Sequence, residues 1–287
     1  RSALIAAGFD EKMINVAPFY ADTMRMGLEK NADVFTILMR TSQPADAAEF
    51  DQWLAALPTE MRVYRVTPKA ETPENAYEYP TLTPRGTGVH ETQTLPEADK
   101  TLDAIRLQLL AEYGDEYDYE ELPARIAVPE GMTGYLNDEN AQGDNRDTSY
   151  LMTDDFTLNS DEDFVVVYGV NHVATGKATY ANTVLYARPR LNGIVSLYDS
   201  MYADSAAKYL PGEDSGDYYV IKMARSAEDD YTAAIPYSTD NPSGAFYGAD
   251  NGTQLLIAYR AYMEPATGVG PSYYEIVYDR AIVFHKK

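Results

Sequence analysis

The chain has 287 residues, 45 of them acidic against 23 basic, for a net charge of −22 and a pI near 4.4. A surface of that sign repels phosphate backbones and anionic lipid heads, so nucleic acid and membrane surfaces are set aside as partners. Cysteine is absent, which excludes disulfides, zinc–thiolate sites and cysteine catalysis, and no apolar run approaches the roughly 18 residues that a membrane span needs.

The first third is expected to be mixed α/β. Pro18 to Asn31 has a helical pattern with Pro18 near its start, and Asp33 to Arg40 is a short buried-strand candidate. A helix then follows Ser42 as cap and Pro44 in the first turn. Phe50, Trp53, Leu54 and Leu57 form one apolar face, and Pro58 is expected to stop it. Met61 to Thr67 alternates like a strand, so the three elements have the size of a βαβ unit. Pro68 to His90, rich in Pro, Thr and Glu, is expected to be a surface connection.

A second helix is predicted from the capping-box spacing of Thr94 and Glu97. Its inner stripe is Leu102, Ile105 and Leu109, and Gly114 is its expected C′ residue. Tyr113 to Pro123 is acidic and Tyr-rich, a linker or a solvated edge. From Ala124 onward six strands are expected: Asp163–His172, Ala178–Arg190, Gly193–Tyr202, Asp217–Ser226, Thr253–Met263 and Ser272–Phe284. In the last, Tyr274, Ile276, Tyr278, Ile282 and Phe284 are expected on one face. Asn192-Gly193 and Asn251-Gly252 supply hairpin-type turns. The expected fold is α+β: a helical or α/β region over 1–115, an acidic linker over 116–123, and an antiparallel, jelly-roll-like β-sandwich over 124–287.

The densest polar stretch, Asn137 to Phe156, is the first candidate for chemistry. Counted as an EF-hand loop from Asp138, it puts Asn140, Gln142 and Gly143 at positions 3, 5 and 6, but Ser149 stands where the bidentate Glu is required. A different calcium loop could use Asp138, Asp144, Asp147 and Asp154 or Asp155. The alternative is a structural corner, in which Arg146 pairs with Asp144 or Asp147, Asp147 turns inward and Thr148 bonds the backbone. No other cofactor is implied.

His172 could act as a base with Asp144 and Asp147, or be an ordinary hydrogen-bonded residue. Gly176-Lys177, Arg85 to Glu91 and Thr267 to Ser272 each lack part of a phosphate-binding loop. No G-x-S-x-G, H-E-x-x-H or C-x-x-C occurs. The 25 tyrosines concentrate in strand candidates, where they pack across strands or line a flat surface for a glycan or protein. Tyr259, Tyr262 and Tyr273 are the candidate contact residues.

Asn145, Asp147, Thr148 and Tyr150, followed by Arg260, Tyr262, Pro265 and Pro271, resemble two motifs of a family of extracytoplasmic bacterial proteins that pair β domains of unknown function behind a helical N-terminus. Arg146 interrupts the first motif. The resemblance covers about Asp144 to Arg280, and implies a β-sandwich outside the cytoplasm (secreted, periplasmic or in an organelle lumen) but no reaction. The expected function is a non-catalytic binding or assembly protein with a protein or glycan partner, able to form a homo-oligomer, with calcium as an optional ligand. The alternatives are a hydrolase or lyase using Asp144, Asp147 and His172, and a structural subunit of a larger complex.

Overall fold

The computed structural model describes residues 2–14, 30, 46–64, 83–127, 146–211, 215–227, 229–240 and 246–287. The chain divides into two units, Arg1–Leu82 and Thr83–Lys287. Among the described residues no helix is long and apolar enough to cross a membrane.

The first unit contains helices α1 (Ser2–Ala6) and α2 (Ala47–Glu60). The cap of α2 is the Asp46 carboxylate, which accepts from the N–H groups of Ala48 and Glu49 at 2.8 and 2.9 Å. It sits closer to the apolar stripe than Ser42 and satisfies two free donors at once. Pro58 does not end α2. It lies in the last turn, and the helix closes with Met61 N–H on the Leu57 carbonyl. Phe50 stacks on Trp53 at 5.7 Å, yet Trp53 and Leu54 are exposed. The predicted helix at 18–31 and strand at 33–40 lie outside the described residues; residues 61–64 are described and are not a strand.

The second unit opens with helix α3 (Ala98–Tyr113) and continues into strands β1 (Tyr117–Pro123), β2 (Arg125–Ile126), β3 (Thr148–Met152), β4 (Phe156–Thr157), β5 (Phe164–Val170), β6 (Tyr180–Ala187), β7 (Asn192–Tyr198), β8 (Tyr218–Ala224), β9 (Thr232–Ala234), β10 (Thr239–Asp240), β11 (Phe246–Tyr247), β12 (Gln254–Tyr262) and β13 (Arg280–Lys286). The unit is β-rich, with two main sheets. The first runs β1-β13-β5-β8-β9, antiparallel except for β8 with β9. The second runs β2-β3-β12-β6-β7, with β4 also paired to β12.

Burial follows the sequence pattern. β5 is an unbroken apolar run because both of its faces are covered. Val165 and Val167 join a core that also contains Leu185, Leu197, Ile257 and Tyr259 of the second sheet. Phe164, Val166 and Tyr168 pack with Leu102, Ile105 and Leu109 of α3. β12 is likewise buried from Leu255 to Tyr259, with Leu255, Ile257 and Tyr259 in the inter-sheet core, and Arg260 and Tyr262 fall on its other face, where burial is only partial.

Several boundaries differ from expectation. The stripe of α3 is completely buried against the first sheet, so the helix belongs with the β unit rather than with a region 1–115. Glu97 precedes α3 without a side-chain cap bond, Thr94 closes a short 3-10 turn, and Gly114 is right-handed at φ −64°. Residues 116–123 are not a linker. β1 pairs with β13 over its whole length, taking the solvated-edge alternative, with Leu122 turned into the core. The last strand begins only at Arg280, so Tyr274 stands 83% exposed rather than on a strand face with Ile282 and Phe284. At Asn251-Gly252 the turn forms, with Gly252 at φ +77°. Asn192 and Gly193 are instead already paired in β7, and Leu191 takes the left-handed conformation.

Candidate functional site

Three glycine-containing segments that fail as phosphate loops come together at one place. Gly86 and Gly88 have φ of +85° and +79°, which turns the N–H groups of Thr87 and Gly88 onto the Glu275 carboxylate at 2.9 and 2.7 Å. Consecutive backbone donors of this kind form an anion cradle. Here the anion is one of the protein's own side chains. Lys177, from the second segment, donates to Glu275 and Glu264 at 2.9 Å each. In the third, Gly268 and Val269 fold the chain back onto the Glu264 backbone, and Gly270 packs on the Thr148 backbone. Burial works to raise the Glu275 pKa, but the Thr87 and Gly88 N–H groups and Lys177 bring it down to about 2.

A second internal cluster lies further along the same segment. His172, two residues past β5, is buried between two carboxylates. Its Nδ1 is 2.9 Å from Glu91 Oε1 and its Nε2 is 3.6 Å from Asp279 Oδ2. Glu91 also accepts from Val277 N–H at 2.8 Å and from the Thr175 hydroxyl. Asp279 accepts from the Tyr219 hydroxyl at 2.6 Å, and the chain of hydroxyls runs on to Thr183 and Tyr202. Burial alone would lower the His172 pKa; Glu91 and Asp279 outweigh it and push the ring up to about 10. Burial likewise works against ionised Glu91, yet His172 and the Thr175 and Val277 donors hold it below its ordinary value. An imidazolium whose two nitrogens both face carboxylates has no free site for accepting a proton at neutral pH, so His172 is poorly suited to act as a general base.

The expected site residues disperse. Asp138 and Asp144 lie outside the described residues. Asp147 does not turn inward: its side chain is exposed, and its carbonyl accepts from Met263 N–H at 2.8 Å. The partners of His172 are Glu91 and Asp279 instead. Asp154 is exposed and paired with Arg125 at 2.9 Å. Among the described residues no group of three His, Asp or Glu is placed to hold a metal ion. Thr148 does bond the backbone, at the Ala261 carbonyl, and Arg146 Nη2 donates to the Thr83 carbonyl; these are elements of a structural corner.

Of the three tyrosines, Tyr259 is 2% exposed and packs between the sheets, because its position on β12 has inward parity; it is not a surface contact. Tyr262 takes the outward position. Tyr273 caps the edge of β3, its hydroxyl accepting from Tyr150 N–H at 3.2 Å, with the Arg85 guanidinium 5.5 Å over its ring.

Tyr262 leads to a surface that sequence reasoning located only in part. On the outer face of the second sheet, Tyr150, Arg260, Asn182 and Tyr198 stand side by side across β3, β12, β6 and β7. The next row pairs Tyr262 with Tyr180, their rings 5.3 Å apart. Arg260 lies between the rings of Tyr150 and Tyr186, 5.3 and 5.4 Å from their centroids. Its two Nη atoms donate to Asn182 Oδ1 at 3.3 Å and to the Tyr186 hydroxyl at 2.7 Å. The readable signal was parity: five tyrosines and one arginine occupy outward positions of strands whose inward positions are mostly apolar, Ser149 and Thr183 being the polar ones.

A separate cleft of about 430 Å³ opens where β1, β13 and α3 meet, lined by Asp99, Glu121, Tyr168, Tyr278, Asp279 and Arg280. Its charged groups are internally matched: Arg280 pairs with Asp99 and Asp103, and Arg106 pairs with Glu121. No protein-family model, curated protein or solved structure matches the chain.

Proposed function

We propose that Thr83–Lys287 is an extracytoplasmic β-sandwich of the jelly-roll type that works as a non-catalytic binding or assembly module, and that the tyrosine–arginine face of its second sheet is the contact surface. The observation that carries this reading is the cross-strand row Tyr150–Arg260–Asn182–Tyr198, with Arg260 held between two rings. Tyrosine and arginine are the side chains that most often dominate binding surfaces, since each combines a flat face with fixed polar groups. The sandwich reading is supported by the core that residues of both sheets share. Placement outside the cytoplasm rests on the resemblance over Asp144 to Arg280. Calcium enters only through the acid-rich run from Asp138, as an optional ligand.

The test is a binding screen of the whole chain against immobilised glycans and surface proteins, with its solution mass measured by light scattering. Tyr198→Ala and Tyr262→Ala are expected to weaken whatever binds, or to lower the mass of an oligomer. A folded, monomeric chain that binds nothing overturns the proposal.

A further inference from the structure

We infer that the ligand of this face is an acidic sugar residue, a pyranose carrying one carboxylate, and that the Arg260 guanidinium receives that carboxylate. The inference rests on the reading of the face as a binding surface and assigns its chemistry.

The starting point is a charge without a counter-charge. Acidic residues outnumber basic ones 45 to 23, so carboxylates are plentiful. Arg106, Arg125, Arg188 and Arg280 each hold one. Lys100, Lys177, Lys208 and Lys286 do so as well. Arg260 does not. Its hydrogen bonds go to a neutral amide oxygen and a neutral hydroxyl, and its Nε is enclosed with no hydrogen-bond acceptor. A partly enclosed cation is costly unless something compensates it, and two ring faces do so only in part. The guanidinium has five N–H donors, and a carboxylate can take two of them in parallel. Arg260 therefore has the unspent capacity that a carboxylate ligand would use.

The surroundings narrow the ligand further. One uncompensated cation suits one anionic group. A net charge of −22 works against polyanions such as sulfated chains, whose many charges meet long-range repulsion. The Tyr180–Tyr262 pair, its rings inclined by 42°, lies two residues along the strand from Arg260, about 7 Å away, which places an aromatic pair one sugar ring from the cation. Tyr198 completes the row with a hydroxyl, a group that pairs with sugar hydroxyls, while the Asn182 amide is held by Arg260 and Tyr180.

The experiment is calorimetric titration of the whole chain with a trisaccharide carrying a single hexuronate residue and with the same trisaccharide after its carboxylate is reduced to an alcohol. The acidic form is expected to bind about tenfold more tightly, and the preference to shrink with added salt. Arg260→Gln is expected to abolish the preference while leaving the neutral form's affinity intact, and Arg260→Lys to retain part of it. Equal binding of the two forms by the wild type, or an Arg260→Gln variant that keeps the preference, overturns the inference and leaves the binding face standing. No binding of either form, or binding that Tyr198→Ala and Tyr262→Ala do not change, overturns the assignment of the face as well. An acidic peptide that binds through Arg260 when neither sugar does overturns the sugar assignment alone. Should Arg260→Gln fail to fold by circular dichroism, the wild-type comparison of acidic with neutral sugar still decides.

Discussion

The Asp279 carboxylate occupies the space above Gly169 where any other residue would carry its Cβ. A methyl group built at Gly169 would stand 3.2 Å from Asp279 Cγ, 3.0 Å from Tyr219 Cε1 and closer still to Asp279 Oδ1. Glycine in the middle of an apolar strand signals this kind of close approach. Gly169→Ala is expected to destabilise the unit by roughly 1–3 kcal/mol, the usual cost of overpacking a filled site. In urea unfolding, most of the loss should vanish in an Asp279→Ala background, because the steric partner is gone. Equal losses in both backgrounds would mean that the strand, not the carboxylate, sets the glycine requirement.

His172 joins two buried acids, so removing it leaves two carboxylates facing each other across a gap. His172→Ala is expected to cost about 3–5 kcal/mol, the scale seen when one member of a buried ion cluster is deleted. Neutralising the acids as well, with Glu91→Gln and Asp279→Asn, should recover part of that loss. A His172→Ala protein that unfolds at the wild-type urea concentration would show that the cluster contributes little to stability.

The same cluster sets a pH dependence. The folded pKa of His172 is about 10 against an ordinary 6.5, so its contribution is complete below pH 6.5 and is lost as pH rises through 10. Glu91 works from the other side. Its pKa lies below the ordinary 4.5, so its contribution is complete above that value and is lost as pH falls through the folded pKa. Both are whole only between about pH 4.5 and 6.5. The Tm difference between wild type and His172→Gln should therefore narrow steadily from pH 6.5 to 10. A difference that stays flat across that window would mean the ring is neutral when folded.

The β unit was legible where periodicity was strong. The runs at β5, β6, β7, β8 and β12 stand in the sequence as strands, and Leu102, Ile105 and Leu109 as one helix face, because burial imposes a period of two or 3.6 on local sequence. The clusters were not legible. Glu91, His172 and Asp279 are 81 and 107 residues apart in sequence, and nothing local to any of them marks the others. The same holds for Lys177 and Glu275, which meet across 98 residues. Arg85 to Glu91 reads in sequence as an incomplete phosphate loop, yet its Gly86 and Gly88 do form a backbone anion cradle. What the sequence could not tell was that the anion would be internal. Tyr259 and Tyr262 illustrate the finer limit: three residues apart on one strand they take opposite faces, so a tyrosine count alone cannot separate core from surface.

Gly86 and Gly88 offer a test of that cradle, because both have positive φ but only one is crowded. A Cβ at Gly88 would meet nothing within 4 Å, whereas at Gly86 it would come within 2.8 Å of both Glu275 Cδ and Ser272 Cβ. Gly88→Ala should therefore cost only the strain of a left-handed alanine, about 1 kcal/mol. Gly86→Ala adds the displacement of a carboxylate that holds Thr87 N–H, Gly88 N–H and Lys177, and is expected to lose more than about 2 kcal/mol. It should also raise the pH at which the protein unfolds in acid. Glu275, with a folded pKa near 2, contributes stability that is complete above the ordinary 4.5 and lost as pH falls toward 2, and a loosened cradle moves that loss upward. Equal urea midpoints and equal acid transitions for the two variants would show that Glu275 is not held by this loop in solution.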